Sequence, residues 1–426
     1  MVPNGFQLAS GIGFIPSDWQ LKSADELTHK ITKGTTPPKS EIVDDSNIPF
    51  LRVNNLGFTG VLNKNSEMLF VSKDANEGFL ARSIAYPNDI VMNIVGPPLG
   101  KFAMLDETYA EYNMNQAVLI YRCDSDVLNH NYFINYLGGE LAQQWLQSRS
   151  KKTSGQQNLT IQLCKELPVP VPPLSEQRKI AKILSTWDKA ISTTEKLIGT
   201  SKQQKKALMQ QLLTGKKRLV NPETDKVFQE EWNEEKLENA AGKIFGGGTP
   251  SRGVPEYWNG TIPWVTVKDL ASTVIHDAQE HITELGLSNS STNVAPKGHV
   301  IIATRMALGK AVIATRDVAI NQDLKVISPS KILDSSFLHY WFMWKSKIIE
   351  NMGTGSTVKG VQITSIKAMK IQLPSILEQQ KIALVLTAAD KEVELLEVKL
   401  AHFKQEKKAL LQQLLTGKRR VVVDAA

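Results

Sequence analysis

The sequence predicts an α/β (α+β) fold: two domains of mixed strands and helices, separated by two long helices that form an antiparallel coiled coil, with an internal pseudo-two-fold repeat. Three observations carry this. Residues 174–218 and 376–420 align at a constant offset of 202 positions without a gap, and 23 of the 45 pairs are identical. A repeat of this kind sets the architecture before any local element is read. Both copies carry an apolar stripe at alternating intervals of four and three, and the segments ahead of them, roughly 11–170 and 223–373, share landmarks in the same order. The expected divisions are 1–170, 171–218, 219–373 and 374–426.

The two helices follow from their periodicity. In the second copy Leu386, Val393, Leu400 and Leu414 take the a positions, and Ile382, Ala389, Leu396, Phe403 and Leu410 take d. A sustained a/d stripe is the pattern of a coiled coil. The first copy places Ile180, Leu184, Trp187, Ile191, Ile198, Leu208 and Leu212 in the same frame, interrupted by Thr194 and Ser201. An interrupted seam and a fuller one predict that the two copies pair with each other. Lys205 and Lys407 stand at equivalent a positions, where a charge fixes register or partner at some cost in stability. Pro172-Pro173 and Pro374 stop the preceding chain, Ser375 with Glu378 reads as an S-x-x-E capping box, and Gly215 and Gly417 close the helices ahead of Lys and Arg. About 40 residues at 1.5 Å each give a rod of roughly 60 Å.

The modules ahead of the helices are related more weakly. Trp19 aligns with Trp232, Thr36-Pro37 with Thr249-Pro250, Ile48-Pro49-Phe50 with Ile262-Pro263-Trp264, Leu99-Gly100-Lys101 with Leu308-Gly309-Lys310, and Asn115-Gln116 with Asn321-Gln322. Ile48–Val53, Ile90–Val95, Ala117–Tyr121, Ile262–Val267, Val300–Thr304, Ala311–Ala314 and Lys325–Ile327 read as short strands between Gly, Pro and Asn turns. Tyr132–Gln147 and Ser336–Glu350 read as helices whose aromatics are packing residues. Each is followed by a polar, glycine-containing loop, 151–157 or 353–359, and then by an apolar alternation leading into the proline stop. Residues 219–230 read as a linker. A shared scaffold with divergent residues between landmarks is what two binding modules of different specificity would show.

Composition narrows the class. A chain of 426 residues with 42% hydrophobic content can bury more than one core. The net charge of +7 fits a nucleic-acid partner. Two cysteines, Cys123 and Cys164, make no disulfide framework, so a reducing cytoplasm is expected. The N-terminus lacks the pattern of a secretory signal, and no apolar run has the length of a membrane span. The seven histidines fall at no metal-ligand spacing beyond the weak pair His276/His281. Gly96 to Lys101 and Gly246 to Ser251 lack the full phosphate-loop pattern and read as structural turns. There is no G-x-S-x-G elbow, no Asp/Asn-Pro-Pro-aromatic tetrapeptide, and no persuasive carboxylate cluster with a lysine. The chain does not read as an enzyme and implies no metal or cofactor of its own.

Two variable modules, each opening with a Trp and a Thr-Pro turn and closing on a Glu-Gln helix that ends Leu-Leu-Thr-Gly-Lys, resemble the specificity subunit of a type I restriction-modification system. The resemblance covers nearly the whole chain. It departs from the first copy's fuller Pro172-Pro173-Leu174-Ser175 at Pro374-Ser375-Ile376-Leu377, which bears on helix entry. It implies that the modules are target-recognition domains, that the helices are conserved spacer regions, and that the chain is a non-catalytic reader of double-stranded DNA. The implied partners are two methyltransferase subunits, which would bind S-adenosylmethionine, and two restriction/translocase subunits using ATP and magnesium. A rod of ~60 Å corresponds to roughly 18 base pairs, so an asymmetric, bipartite target is expected.

Side-chain chemistry then selects candidates, since Arg and Lys pair with guanine edges and phosphates, and Asn and Gln with adenine. In the first module these are Lys33, Lys39, Arg52, Asn54, Asn55, Lys101, Lys151, Lys152, Gln156 and Gln157; in the second, Arg252, Thr266, Lys268, Arg305, Lys310 and Lys359. Asn115-Gln116 and Asn321-Gln322 recur, which predicts a shared role in the fold. Outward helix positions Lys202, Gln203, Lys206, Gln210 and Gln211 repeat as Lys404, Gln405, Lys408, Gln412 and Gln413, so the same partner is expected to dock twice. Two competing readings are a nuclease with an unrecognised site, which a cleavage assay with magnesium would reveal, and a protein adaptor, which would lack salt-dependent DNA binding.

Overall fold

The computed structural model describes residues 2–63, 65–153, 156–355 and 359–423. Two compact units divide the chain: Met1–Thr194 with Lys399–Ala426, and Glu195–Val398.

In the first unit, apolar runs bounded by turns make the central strands. Ile90–Asn93 is buried along its whole length. It lies inside an antiparallel sheet ordered Thr28–Lys33, Val118–Cys123, Ile90–Asn93, Phe102–Met104. A strand covered on both faces can be apolar throughout instead of alternating. A smaller sheet joins Leu69–Phe70 to Pro49–Leu51, which runs parallel to Asn113–Met114. The helices that follow pack Tyr132, Phe133, Tyr136, Trp145 and Leu146 into the core beside Trp19 and Tyr121. The single helix predicted over Tyr132–Gln147 is two, His130–Gly138 and Glu140–Arg149, because Gly139 is extended. Gly138 is required there: a Cβ would come within 2.6 Å of the Phe102 ring. The aromatics are packing residues; Tyr132 Oη donates to the Pro170 carbonyl at 2.8 Å.

The second unit repeats this ladder pair by pair. Ile90 opposite Met104 becomes Val300 opposite Ile313, and Leu119 opposite Lys33 becomes Lys325 opposite Gly246. The parallel pair Phe50–Asn113 becomes Trp264–Ala319. The strand entering each long helix pairs with the strand opening its module, Val171 with Gln20 and Leu373 with Asn233. The weak sequence landmarks therefore mark one scaffold used twice. The second unit adds Val274–Ile275 at the edge of its main sheet and extends the Trp264 strand to Trp258–Val265.

The long helices run Leu174–Leu212 and Ile376–Leu415. In each unit a part of one packs antiparallel on a part of the other. In the first, Ile180 and Leu184 share a core with Leu414 and Leu415, and the Trp187 and Phe403 rings meet edge to face at 5.7 Å. In the second, Met209, Leu212 and Leu213 share a core with Ile382, Ala383 and Leu386. The polar interruptions of the seam are satisfied: Thr194 Oγ1 donates to the Ala190 carbonyl at 2.8 Å and Ser201 Oγ to Glu392 Oε1 at 3.2 Å. Both seam lysines reach an aspartate of the other helix, Lys205 to Asp390 and Lys407 to Asp188. Gly215 and Gly417 end the helices at φ of 69° and 68°, in the left-handed region glycine enters without strain.

The Glu-Gln dipeptide at each helix start has a role that helix capping does not describe. Glu378 is not engaged by Ser375: its carboxylate accepts from Arg218 Nε at 2.7 Å, Arg218 Nη2 at 2.8 Å and Trp232 Nε1 at 3.2 Å. Glu176 does the same with Arg420 and Trp19. Each arginine follows the end of the other helix, so each unit is closed by a Trp of its module, the Glu opening one helix and the Arg beyond the other. The adjacent glutamine is fully buried and bonded three times. Gln177 accepts from the Asn129 amide at 2.8 Å and donates to the Val127 and Pro172 carbonyls, both at 3.0 Å. Gln379 repeats the pattern with Asp334, Ile332 and Pro374.

Candidate nucleic-acid interface

In both units the polar loop ahead of the long helix is pinned to the loop carrying Leu-Gly-Lys. Val95 bridges Asn158 in the first unit and Arg305 bridges Gly360 in the second. The Gly96 amide donates to the Gln157 carbonyl at 3.0 Å, and the Met306 amide to the Lys359 carbonyl at 3.3 Å. Lys101 thus joins Gln157 and a backbone hairpin that pairs Lys151, Lys152 and Thr153 with Asn158, Gln157 and Gln156. Arg305, Lys310 and Lys359 are likewise drawn together and exposed. Ser154, Gly155, Ser356, Thr357 and Val358 of these loops lie outside the described residues. Asn93, which stands in no motif of the sequence, holds the first edge in shape. Its Nδ2 donates to the Pro98 carbonyl at 3.0 Å while its Oδ1 accepts from the Lys101 backbone amide at 2.7 Å.

A second pair of sites follows the strand at Phe50 or Trp264. Arg52 and Thr266 each begin a 3₁₀ turn and are held by the residue three positions on: the Arg52 amide donates to Asn55 Oδ1 and the Thr266 amide to Asp269 Oδ2, both at 2.8 Å. Asn54 and Lys268 are exposed. Asn55 is not available to a base, which corrects its place among the candidates. Its side chain is fully buried, and its Nδ2 donates to the Glu67 carbonyl at 3.1 Å. Arg52 pairs with Glu67 at 3.0 Å.

Lys33 ends its strand opposite Leu119, and on the equivalent rung Lys325 stands opposite Gly246, so a lysine occupies this place in both units from opposite strands. Lys325 Nζ donates to the Gln322 carbonyl at 2.8 Å, and burial pulls its pKa below the usual lysine range. Beside these rungs Thr36 bonds Gln116 and Thr249 bonds Gln322, while Asn115 and Asn321 each accept an amide two residues on at 3.1 Å. The recurrent Asn-Gln dipeptides hold the fold. Lys39 is exposed in a 3₁₀ turn. Arg252 lies 3.9 Å from the centre of the Trp258 ring and pairs with Glu280, whose carboxyl it holds below the usual range through hydrogen bonding. Trp258, Asn259, Gln279 and Glu280 were missed because only the strand pairing of 258–265 with 280–282 assembles them.

The repeated helix positions Lys202, Gln203, Lys206, Gln210 and Gln211, with Lys404, Gln405, Lys408, Gln412 and Gln413, are exposed. Within their own units Lys202 pairs with Glu397 at 2.6 Å, and Gln412 donates to Glu140 at 2.5 Å. Among the described residues no group of three His, Cys, Asp or Glu could hold a metal ion, and no helix is long and apolar enough to cross a membrane. His276 and His281 have separate partners, Thr315 at 3.0 Å and Asp277 at 2.8 Å. Cys123 and Cys164 are free thiols that burial pushes up to about 12.

The scaffold and its two copies match known proteins. The family model described as the type I restriction modification DNA specificity domain matches residues 16–200 and 229–405. The MjaX specificity subunit of Methanocaldococcus jannaschii, putative by its own description, is 25% identical over 421 residues, 96% of each chain. The MjaIX specificity subunit of the same organism is 35% identical over 169 residues, 38% of this chain and only 39% of that protein. The crystal structure of the type I restriction-modification S subunit from M. genitalium superposes with a TM-score of 0.56 at 17% identity, covering 97% of this chain and 99% of that one. With both modules and the start of each long helix matched, the chain belongs to the type I restriction-modification specificity subunits.

Proposed function

We propose that this chain reads an asymmetric, bipartite sequence in double-stranded DNA and contributes no catalysis of its own. The observation that carries the reading is the repetition of the strand ladder pair by pair while the residues beside the shared Lys101 and Lys310 differ: Val95 and Gln157 in the first unit, Arg305 and Lys359 in the second. Two copies of one scaffold with unlike edges fit two unlike half-sites, much as a dimer fits like ones. Residues 1–170 and 219–373 act as the two target-recognition domains, and residues 171–218 and 374–426 as the spacer between them. Lys33, Lys39, Arg52, Asn54, Thr266 and Lys268 supply further phosphate or base contacts.

The outer helix surfaces that repeat at Lys202, Gln203, Lys206, Gln210, Gln211 and 202 positions later dock two methyltransferase subunits, which carry S-adenosylmethionine. Two restriction/translocase subunits using ATP and magnesium complete the complex in the cytoplasm. Methylation mapping of a genome exposed to the assembled complex tests the DNA reading. Modified sites should share two short defined segments around an undefined gap. A single uninterrupted motif would refute the bipartite target. Alanine replacement of both helix sets should abolish capture of the methyltransferase; undiminished 2:1 assembly would refute the docking assignment.

A further inference from the structure

On one edge of the second unit an arginine and a carboxylate are held ready on an aromatic platform. The Arg252 guanidinium lies over Trp258, 3.9 Å from the ring centre and 5.2 Å from that of Trp264. The two rings meet edge to face at 5.2 Å, and their indole nitrogens are tied down, Trp258 Nε1 to the Ser251 carbonyl at 3.1 Å and Trp264 Nε1 to the Gly248 carbonyl at 3.0 Å. Nη1 and Nη2 of Arg252 both donate to the Glu280 carboxylate. The strand bulges between Trp258 and Ile262. Asn259 stands at the bulge tip with a φ of 60°, and Gly260 passes so close to Ile282 that a Cβ would lie 2.3 Å from its carbonyl oxygen. An open cavity of about 560 Å³ lies against this group, lined also by Gln279 and His281.

Nothing in the fold needs this ion pair. Both partners are solvent-accessible, Arg252 at 56% and Glu280 at 42% of the side chain, and an exposed pair adds little to stability. The first unit does not repeat it, since Leu69 occupies the rung of Glu280 opposite Phe50. The chemistry suits the wall of the major groove. An arginine fork donates to O6 and N7 of guanine, and a carboxylate accepts from the N4 amino group of the paired cytosine. The donors and acceptors that Arg252 and Glu280 satisfy in each other are those that one G·C pair presents.

Resting on the DNA-reading role above, we propose that Arg252 and Glu280 read one G·C base pair of the second half-site. They exchange their mutual hydrogen bonds for the base edges. Trp258 keeps the guanidinium in place during the exchange, so little side-chain freedom is lost on binding.

The test uses the full chain assembled with its methyltransferase partner and duplexes substituted one position at a time across both half-sites. Arg252→Lys keeps the charge and removes the planar fork. It should lower affinity for the target about 10- to 100-fold, flatten the preference at one G·C position of the second half-site, and leave both the first half-site and the salt dependence unchanged. Glu280→Ala should relax the same position. Unaltered melting of both variants keeps the comparison free of folding effects. Equal weakening on every sequence would make Arg252 a phosphate anchor and overturn the proposal, as would full discrimination by Arg252→Lys or a second half-site without a G·C pair. Should the unsubstituted complex show no sequence preference, the DNA-reading role itself fails, which is a separate result.

Discussion

Replacing Arg218 by alanine isolates the energetics that close the second unit. The Glu378 side chain is 1% exposed, and Arg218 supplies two of its three donors, leaving only Trp232 Nε1 at 3.2 Å when the arginine is removed. Breaking a buried pair by deleting one partner leaves an uncompensated charge, worth ~3–5 kcal/mol. The companion variant Arg218→Ala/Glu378→Gln removes the charge while keeping an acceptor for Trp232. Its remaining deficit should be the lost hydrogen bonds alone, about 1–2 kcal/mol, so the second substitution rescues the first. A chain of two units need not unfold in one step, and the readout is therefore amide hydrogen exchange resolved by unit. Protection should fall in strands 233–236 and 370–373 and in the helix from Ile376, whose start carries Glu378. The strands of the first unit should be unaffected. A loss below about 1 kcal/mol in Arg218→Ala, or no recovery on adding Glu378→Gln, would refute the assignment of Glu378 as a buried anion held by Arg218.

Three further outcomes follow from other contacts. Burial pulls the imidazole of His339 down to about 4, Asp390 and Lys205 acting as smaller opposed influences; the residue is 2% exposed and neither ring nitrogen is hydrogen-bonded. The folded state binds this proton more weakly than the unfolded chain, so its contribution is full above pH ~6.5 and is lost as pH falls towards 4, by about 3 kcal/mol in all. Urea titrations across that window should show a shallower acid limb for His339→Phe, and an unchanged limb would remove His339 as its source. Gly34 and Gly247 occupy equivalent turns where a Cβ would lie 1.9 Å from the carbonyl oxygen of Met114 or Ile320. Alanine at either should cost roughly 1–3 kcal/mol, seen as lost exchange protection in its own unit only; equal loss in both units would contradict the separate ladders. Lys407→Asp should weaken the first unit by about 0.5–1 kcal/mol, since Asp188 is 53% exposed. Adding Asp188→Lys should recover most of that in denaturant melts, and an additive double variant would show that the pair is not coupled.

The long helices were legible because their signal is local: a heptad stripe, a proline stop and a glycine end need no knowledge of the rest of the chain. The central strands were legible for the same reason, and Ala311–Ala314 has the predicted ends. The break at Gly138-Gly139 was hidden because the Phe102 ring that requires glycine at 138 lies 36 positions away. The Glu-Gln signature marks a helix start, but its carboxylates answer to arginines 42 positions along the other copy of the repeat, at Arg218 and Arg420. The candidate interface divides in the same way. Charge and amide content selected Lys101, Arg305 and Lys359, which the loop bridges gather. Composition could not reveal that Asn55 is buried with its Nδ2 on the Glu67 carbonyl 12 positions on, or that strand pairing sets a carboxylate 28 positions on beside Arg252.

The seam lysines explain why the two related helices pack antiparallel within each unit. If the copies packed parallel and in register, equivalent a positions would meet, and Lys205 would face Lys407 across an apolar seam. Two like charges there would both be desolvated without a partner, an arrangement that polar a residues serve to exclude. Antiparallel packing instead carries each lysine to an aspartate of the other copy, Lys205 to Asp390 and Lys407 to Asp188. The aspartates are themselves one repeat apart, so a single choice of residue types satisfies both contacts. The same logic governs the ends, where Glu176 meets Arg420 and Glu378 meets Arg218. A duplicated helix carrying Glu at its start, Asp and Lys within it and Arg beyond its end is thus complementary to its own reversed copy. That self-complementarity lets each unit be closed by residues of both copies while its exposed edge diverges.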